Sequence, residues 1–312
     1  METRTKVLAA IVTRNRPRLL DNAIRLLCDQ TRPPEGVLVV DNDSAPDTAA
    51  LVEQWRARNP LVRYLNTGRN AGSGGGQMEA MKYAVEQGFD AIYTMDDDCE
   101  PEADALEKIL AAWELLPDRD QWALNSLVID VANPDLMSFG LVDKYKIGTA
   151  ARPSILYRRL SEIPAGRIMG GLFDGSGCLF NGSFIPVALI LRAKYPREDL
   201  FIRGDEGEYA FRLIAHGHLA TVIASRVRHP GAEAASKDMA LWKHYYSVRN
   251  SVIIHRLYFP SLRTSLPYLA VRALKHWLLV ILRRDPRMNQ TLALAVFDAL
   301  RENFDRDAFA LK

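Results

Sequence analysis

The stretch Asp90-Ala-Ile-Tyr-Thr-Met-Asp-Asp-Asp98 joins a short apolar run directly to three consecutive carboxylates. The apolar run is typical of a buried β-strand, so the carboxylates are expected at the carboxyl edge of a sheet. Three adjacent negative charges repel one another unless a cation or several hydrogen-bond donors join them. Mg²⁺ and Mn²⁺ prefer oxygen ligands and commonly share their coordination with phosphates. The stretch therefore predicts a site for a divalent metal ion and a diphosphate.

Two other interpretations of the acidic run compete with this one. A solvated acidic loop is what most runs of like charge form. A calcium loop is suggested by acids at its first, third, fifth and twelfth positions, which are Asp96, Asp98, Glu100 and Glu107. The sixth position of such a loop needs glycine for a sharp turn, and Pro101 stands there. The calcium loop is therefore excluded, whereas the solvated loop is not.

The sequence around this stretch alternates between strand-like and helix-like periods. Strand-like segments lie at residues 7–13, 37–40, 62–65 and 91–95, and helical segments at residues 18–30, 48–58, 76–87 and 103–116. This alternation predicts βαβ units, and hence an α/β fold whose mainly parallel sheet is flanked by helices. Ligands of such sheets bind beyond the carboxyl ends of the strands. Thr13, Asp41 and Asn70 also follow strand ends, so we expect them at the same edge as the three aspartates.

The rest of the chain is less regular. Strands are expected at residues 122–131 and 219–227, helices at 210–216, 241–257 and 268–282, and irregular structure at 134–167. Phe180-Asn-Gly-Ser-Phe184 is expected to form a turn that leads into a short helix. The pattern predicts two parts, an α/β domain at residues 1–235 and a C-terminal helical extension at residues 236–312.

The last predicted helix has an uneven charge distribution. Its basic side chains project onto one face, and they are Arg272, Lys275, His276, Arg283 and Arg287. The opposite face is apolar and carries Leu269, Trp277, Leu278 and Ile281. Such a helix suits either peripheral contact with an anionic membrane or packing on the main domain with a solvated basic face, and both stay open. Pro286 is expected to end the helix.

Composition limits the class of protein. The 312 residues are 48% hydrophobic and 25% charged, which favours a packed core over disorder. A formal net charge of +2 gives no support for nucleic-acid binding. Cys28, Cys99 and Cys178 have no paired spacing, so we expect free thiols. No secretory leader and no apolar stretch of about eighteen residues is evident, so the cytoplasm is the expected location.

A glycine-rich segment precedes one of the predicted helices. In Asn70-Ala-Gly-Ser-Gly-Gly-Gly76 the glycines would let the backbone approach a ligand, and a helix start favours phosphate. A flexible loop explains the same composition. The segment is neither a Walker loop nor a dinucleotide fingerprint, because it lacks the lysine of the first and follows the third strand rather than the first.

A second acidic group lies at another predicted helix start. Asp205, Glu206 and Glu208 are either helix-start acids paired with nearby arginines or the source of a general base, because crowding and burial raise the pKa of a carboxylate. The arginines in reach are Arg203 and Arg212. His229 follows a strand-like segment, and its neutral imidazole can bind a metal ion.

Six segments together resemble one known family. They are Ile11-Val-Thr-Arg-Asn-Arg-Pro17, Val39-Val-Asp-Asn-Asp-Ser44, Asn70-Ala-Gly-Ser-Gly-Gly-Gly76, Asp96-Asp-Asp98, Phe201-Ile-Arg-Gly-Asp-Glu206 and Tyr245-Tyr-Ser-Val-Arg-Asn250. In this order the chain resembles family 2 glycosyltransferases with the GT-A fold, over roughly residues 5–255. The nearest branch is the bacterial galactofuranosyltransferases, especially the actinobacterial initiating type, and related rhamnosyltransferases are similar.

The resemblance implies roles for individual positions. Nucleotide-sugar binding is implied for Thr13, Arg14, Asp41, Asn70, Gly74, Gly75, Asp96, Asp97 and Arg203. Binding of Mn²⁺ or Mg²⁺ is implied for Asp98, with His229 and Asp96. Glu206 matches the family's catalytic base, and Asp205 is expected to touch the donor sugar or to support that base. Gly204 stands where the polymerising galactofuranosyltransferases carry Trp, and their pair of acceptor-binding tryptophans is not evident, so the acceptor is not inferred from them.

The resemblance implies an inverting, metal-dependent glycosyltransferase. It favours UDP-galactofuranose as donor and a lipid-diphosphate-linked glycan as acceptor, in cell-wall or polysaccharide assembly at the inner face of the membrane. The oligomeric state of the protein, monomer or homo-oligomer, stays open. The alternatives are a rhamnosyltransferase using dTDP-rhamnose, a sugar nucleotidyltransferase, and a catalytically silent protein that binds a nucleotide or glycan. The nucleotidyltransferase needs a glycine-rich loop after the first strand, and Thr13-Arg-Asn-Arg-Pro17 contains no glycine.

Overall fold

The computed structural model describes residues 4–143, 155–230, 240–258, 270, 271, 274, 278, 286–306 and 308. The strands are β1 (Val7–Thr13), β2 (Gly36–Asp41), β3 (Val62–Asn66), β4 (Ala91–Asp96), β5 (Glu100–Pro101), β6 (Trp122–Asp130), β7 (Leu136–Asp143), β8 (Tyr157–Arg159), β9 (Ile168–Met169), β10 (Leu172–Phe173), β11 (Gly175–Ser176), β12 (Asn181–Pro186) and β13 (His218–His229). The α-helices are α1 (Pro17–Cys28), α2 (Pro46–Arg58), α3 (Gly72–Glu86), α4 (Ala105–Glu114), α5 (Val187–Ala193), α6 (Asp205–His216), α7 (Leu241–Tyr258) and α8 (Pro286–Arg301).

The central sheet has the order β3-β2-β1-β4-β12-β6-β13-β10-β9. The strands β1 to β4 pair in parallel, which confirms the predicted βαβ alternation. Thr13 is paired with Asp41, and Val12 with Asp96, so three strand ends lie side by side. This register follows from the strand polarity, because parallel strands end at the same edge. The edge carries the polar residues that the sequence places there.

Two segments form strands that the sequence did not predict. Asn181–Pro186 is not a turn but the strand β12, which runs antiparallel between β4 and β6. Within β12, the side chains of Phe184 and Ile185 are buried on opposite faces of the sheet. The turn was predicted because of Gly182, which has a φ angle of 95° in this strand. Part of the segment 134–167, predicted to be irregular, forms β7 and β8. Residues 144–154 lie outside the described residues.

The core consists of two apolar layers, one on each face of the sheet. Alternate residues of β1 face opposite layers, with Ala9 and Ile11 on one side and Leu8 and Ala10 on the other. The first layer is covered by α1 and α4, and the second by α3, α5 and α6. Each fully buried Leu or Ile side chain contributes about 1.5–3 kcal/mol. Because helices cover both faces of the sheet, the parallel strands have continuous apolar sequences rather than alternating ones.

The C-terminal part packs through α7, whose side chains from His244 to His255 are buried. The hydroxyl of Tyr245 donates to Asp298 on α8 at 2.7 Å. Pro286, expected to end a helix, is the first residue of α8. Most of the predicted basic face, Arg272, Lys275, His276 and Arg283, lies outside the described residues, as do Leu269, Trp277 and Ile281 of the apolar face. Within the described part of the chain, no helix combines the length and apolarity that a membrane crossing requires.

Candidate active site

The acidic turn after β4 is held by donors from the segment after β1. Asp97 is buried and accepts hydrogen bonds from the hydroxyl of Thr13 at 2.7 Å and from Nη1 of Arg16 at 3.0 Å. The same Nη1 lies 3.0 Å from Oδ2 of Asp98. Arg16 thus bridges two of the three aspartates. The run is therefore not a freely solvated loop.

The three aspartates differ in how readily they ionise. Burial, followed by the charges of Asp98 and Glu206, raises the pKa of Asp96 well above its usual range. Burial also raises the pKa of Asp97, against the influence of Arg16 and Thr13. Burial acts in the same sense on Asp98, but His229 and Arg16 outweigh it and lower its pKa. Of the three carboxylates, only that of Asp98 therefore has a lowered pKa and ionises more readily than usual.

The side chain of His229 reaches Asp98 because β5, just after the acidic turn, pairs with the end of β13. Arg228 is the register partner of Glu100, and His229 is the last residue of β13. Nε2 of His229 lies 3.3 Å from Oδ1 of Asp98. Its Nδ1 is 2.6 Å from the carbonyl oxygen of Pro230, which can only accept, so Nδ1 carries a proton and Nε2 faces the carboxylate.

Asp98 and His229 fit a divalent cation. Oδ1 of Asp98 is buried and completes no hydrogen bond with any described residue. Ligand atoms of Asp98, Cys99 and His229 lie within 4.8 Å of one another. The Cys99 thiol donates to Asn181 at 3.1 Å, and burial raises its pKa well above the usual range, so it stays protonated. One carboxylate oxygen and one imidazole nitrogen therefore form the donor set available to Mn²⁺ or Mg²⁺.

The second acidic pair opens helix α6. Asp205 is 1% exposed, and burial together with the charge of Glu206 raises its pKa to about 7. Glu206 is half-buried, and its Oε2 lies 3.1 Å from the sulfur of Cys178. Glu206 and Asp205 both contribute to the raised pKa of Asp96. The two acidic groups, which are far apart in the chain, therefore act on one another electrostatically.

Glu208 has a different environment from its neighbours. Its carboxylate is buried and paired with Arg212, with contacts of 2.8 and 2.9 Å. The hydroxyl of Tyr258 donates to the same carboxylate at 2.5 Å. The interpretation as a paired helix-start acid therefore holds for Glu208. Asp205 lacks such an arginine partner among the described residues, and both its oxygens are buried without a completed hydrogen bond.

The glycine-rich segment is packed rather than open. Helix α3 begins at Gly72, not at residue 76, so the glycines belong to its first turns. The amide of Gly74 donates to the carbonyl of Phe201 at 3.1 Å, and a Cβ on Gly74 would lie 2.7 Å from the carbonyl of Arg197. A Cβ on Gly75 would lie 2.6 Å from that of Ala71. Gly74 therefore lets α3 approach the segment that leads to Asp205.

Asp41 is the last residue of β2 and lies beside Thr13 at the carboxyl edge of the sheet. It is fully buried and accepts from the Tyr64 hydroxyl at 2.6 Å and from the Ser44 amide at 2.9 Å. Burial and the hydrogen bond to Asp41 raise the pKa of Tyr64 to about 12. A cavity of about 260 Å³ lies nearby, between β3 and α3, and is lined by Asn66, Arg69 and Glu79 among others.

Known proteins resemble this chain over most of its length. The family model described as Glycosyl transferase family 2 matches residues 9–120. Galactofuranosyltransferase GlfT1 of Mycobacterium tuberculosis is 30% identical over 299 residues, which cover 90% of this chain and 91% of that protein. This chain belongs to glycosyltransferase family 2. GlfT1 of Mycolicibacterium smegmatis is 28% identical over 300 residues, 91% of this chain and 93% of its own.

Solved structures confirm the GT-A fold of this family 2 glycosyltransferase. S. aureus TarS 1-349 in complex with UDP-GlcNAc has a TM-score of 0.59 at 16% identity, covering 98% of this chain and 84% of that chain. Mannosyltransferase PcManGT from Pyrobaculum calidifontis, in complex with GDP-Man and Mn²⁺, has a TM-score of 0.54 at 15% identity, covering 99% and 79%. At such identities the likeness establishes architecture alone.

In this glycosyltransferase the residues predicted from sequence fall into two groups. Around the acidic turn and the start of α6 lie Thr13, Asp96, Asp97, Asp98, Asp205, Glu206 and His229. Further from the acidic turn are Asp41 at the end of β2, and Asn70, Gly74 and Gly75 at the start of α3. Arg14 is exposed, and Arg203 lies at φ 68° just before α6.

Sequence reasoning missed three contributors to this site. Arg16 belongs to the segment Ile11–Pro17, and its position three residues after the end of β1 was the available signal. Cys178 gave no signal, since a lone thiol is more often a buried apolar residue. Asn250 belongs to the segment Tyr245–Asn250, but nothing in the sequence indicates that it reaches the loop before Asp205.

Proposed function

We propose that this glycosyltransferase moves galactofuranose from UDP-galactofuranose to a glycan acceptor, with inversion and with a divalent metal ion. The observation that carries the proposal is the joint placement of the Asp98–His229 pair and the Asp205–Glu206 pair around Asp96. The similarity to galactofuranosyltransferases over about nine-tenths of both chains supports the choice of sugar. A lipid-diphosphate-linked glycan in cell-wall or polysaccharide assembly is the proposed acceptor.

Glu206 is the proposed general base. Its carboxylate accepts the proton of an acceptor hydroxyl while the hydroxyl oxygen forms a bond to the anomeric carbon of the donor. The bond between that carbon and the diphosphate breaks in the same displacement, and UDP leaves with its electron pair. One displacement from the face opposite the leaving group inverts the anomeric configuration. Asp205, with a pKa of about 7, is partly protonated near neutral pH and can donate to a sugar hydroxyl.

Asp98 and His229 are the proposed holders of Mn²⁺ or Mg²⁺, with Asp96 as a further carboxylate nearby. The lowered pKa of Asp98 and the direction of Nε2 in His229 support this assignment. Such an ion, when bound, supplies charge neutralisation for the departing diphosphate. Arg16 would add a fixed positive charge beside it.

The C-terminal region, residues 236–312, is proposed to face the acceptor at a membrane surface. Burial, and secondly the charges of Arg203 and Arg16, lower the pKa of Lys243 near the start of α7. The start of α7 therefore lies close to the candidate site. Val271, Leu274 and Leu278 are exposed and share one helical face. Exposed apolar side chains on one face are typical of interfacial helices. Co-sedimentation of the protein with anionic vesicles tests this contact. Equal recovery of the protein with anionic vesicles, with neutral vesicles and without vesicles would contradict the proposed membrane contact.

The experiment is a donor panel against a rhamnosyl-GlcNAc lipid-diphosphate analogue, run with wild-type enzyme and two variants. Glu206→Gln is expected to abolish transfer and to leave the Kd for UDP within twofold. Glu208→Gln is the matched control, because Glu208 is paired with Arg212 rather than placed beside Asp96 and Cys178, and it should retain transfer. Turnover of dTDP-rhamnose in place of UDP-galactofuranose would overturn the donor assignment. Equal activity of Glu206→Gln and wild type would overturn the assignment of the base.

A further inference from the structure

The loop that precedes the candidate base is held by two adjacent side chains of α7, Arg249 and Asn250. Nδ2 of Asn250 donates to the carbonyl oxygens of Leu200 at 2.6 Å, Ile202 at 2.9 Å and Arg203 at 2.9 Å. Asn250 is fully buried. Three carbonyls of the loop thus converge on one side-chain amide, and the carbonyl of Leu200 also accepts from the amide of Ile202 at 2.7 Å and from Nη2 of Arg249 at 3.3 Å. The last of these carbonyls belongs to Arg203, which lies two residues before Asp205 and three before Glu206.

The backbone of this loop has an unusual conformation. Phe201 and Arg203 have φ angles of 65° and 68°, in a region that side chains other than glycine rarely adopt. Gly204 follows at 103°. Such a conformation persists when the surrounding structure over-determines it. Because helix α6 starts immediately afterwards, the path of these residues sets the direction in which Glu206 leaves the backbone.

The orientation of the Asn250 amide is itself fixed by its neighbour. Nε of Arg249 donates to Oδ1 of Asn250 at 3.0 Å, which directs Nδ2 toward the loop. Nη2 of Arg249 donates to the carbonyl of Asp199 at 2.6 Å. The guanidinium is buried against the rings of Tyr246 and Phe304, at 4.8 and 5.4 Å from their centroids. The buried guanidinium has little freedom to move away.

Gly204 allows α7 to come this close. A Cβ at Gly204 would lie 3.1 Å from Cδ1 of Ile254 and 3.5 Å from Cβ of Asn250. A larger residue at position 204 would separate the loop from the helix. Helix α7 therefore approaches the loop with the side chain of Ile254 as well as with the amide donor of Asn250.

We infer that Asn250, oriented by Arg249, is a positioning residue that sets the placement of Glu206 relative to the acceptor hydroxyl. The inference rests on the proposed role of Glu206 as base. Asn250 touches neither substrate nor metal in this account. It acts through the loop of residues 199–204, so its loss misplaces the base without removing it. Misplacement of a catalytic group by about 1 Å lowers the rate on the order of 100-fold.

The test compares Asn250→Ala with Arg256→Ala. Arg256 lies on the same helix and also donates to backbone carbonyls, but those of Ala299 and Leu300 on α8 rather than the loop. Asn250→Ala is expected to lower kcat about 100-fold, to leave the Kd for UDP and the donor KM within twofold, and to speed hydrogen exchange of residues 199–206 at least tenfold. Arg256→Ala should lower the Tm without changing kcat by more than twofold.

Each outcome decides between a positioning role and a packing role. The inference is overturned if kcat falls in both variants in proportion to the decrease in Tm. It is also overturned if kcat of Asn250→Ala stays within threefold of wild type. If Asn250→Ala does not fold, Asn250→Ser, whose hydroxyl is too short to reach the loop carbonyls, is judged by the same criteria. A wild-type-like Glu206→Gln would remove the proposed function itself. An inactive Glu206→Gln beside an unaffected Asn250→Ala would remove the inference alone.

Discussion

The sulfur of Cys178 lies 3.1 Å from Oε2 of Glu206, so a buried thiol contacts the candidate base. Nδ2 of Asn181 donates to this sulfur at 3.0 Å, and Oδ1 of Asn181 accepts from the thiol of Cys99 at 3.1 Å. Burial raises the pKa of Cys178 well above its usual range, so the thiol keeps its proton and can donate it. A chain of buried polar contacts thus links the residue after Asp98 to Glu206.

Replacing Cys178 tests whether the thiol orients the base. Cys178→Ala removes the donor to Glu206 and is expected to lower kcat at least about tenfold, because a hydrogen bond to a charged group contributes about 1.5 kcal/mol or more. Cys178→Ser should recover part of the loss because a hydroxyl also donates. Cys28→Ala, in a half-buried thiol at the end of α1, is the control. Steady-state transfer assays decide, and equal kcat values for the two alanine variants would contradict the prediction.

Metal binding is expected to depend on Asp98 and not on Asp97. Oδ1 of Asp98 is buried without a hydrogen bond in the described structure, whereas Asp97 is occupied by Thr13 and Arg16. Saturating Mn²⁺ at about 100 times Kd should stabilise the wild type by about 2.7 kcal/mol. Asp98→Asn should lose this stabilisation, and Asp97→Asn should keep most of it.

The measurement is the Tm with Mn²⁺ and UDP, before and after chelation, so it does not require activity. A full Mn²⁺-dependent shift in Asp98→Asn would exclude this carboxylate as a ligand. A loss in both variants would instead indicate that the turn as a whole, and not one ligand, is disturbed.

The close packing of α3 predicts a large cost for a side chain at Gly72. Gly72 and Gly68 have nearly equal φ angles, 70° and 68°, so an alanine at either position is strained by about 1–2 kcal/mol. A Cβ at Gly72 would also collide with the carbonyl and ring of Phe201, whereas a Cβ at Gly68 meets no atom within 4 Å. Gly72→Ala should therefore destabilise by about 1–3 kcal/mol more than Gly68→Ala. Urea unfolding of both variants gives the difference, and equal free energies would contradict the packing shown by the structure.

The pKa of Asp205 predicts a pH-dependent stability. Its folded value is about 7, above the value of about 3.9 for an unfolded chain. The folded state therefore binds the proton more tightly, and the stability that this proton contributes is complete below about pH 4 and is lost as the pH rises through 7. Asp205→Asn, which needs no proton, should gain about 4 kcal/mol relative to wild type between pH 4 and pH 8, since each of the roughly three pKa units corresponds to about 1.4 kcal/mol.

Urea unfolding at a series of pH values measures this difference. Asp199→Asn is a suitable control, because Asp199 is half-buried and paired with Arg197. A constant difference between wild type and Asp205→Asn over the range would show that Asp205 titrates normally in the folded protein.

The sequence by itself determined the parts of the fold that depend on local pattern. The period of apolar residues gave the strands β1 to β4 and the helices between them, because burial on two faces or on one stripe is encoded in spacing. Strand polarity then placed Thr13, Asp41 and Asp96 at one edge. The six segments were sufficient to indicate the family, because motifs in a fixed order carry more information than any one alone.

The tertiary structure alone decided which distant residues meet. β12 inserts between β4 and β6 with both faces buried, and no local period distinguishes such a segment from a turn when it contains Gly182. The contact of His229 with Asp98 depends on the pairing of β5 with β13, and that of Asn250 with the loop before Asp205 on the packing of α7. Such contacts arise from the packing of whole elements against one another, and spacing along the chain does not specify that packing.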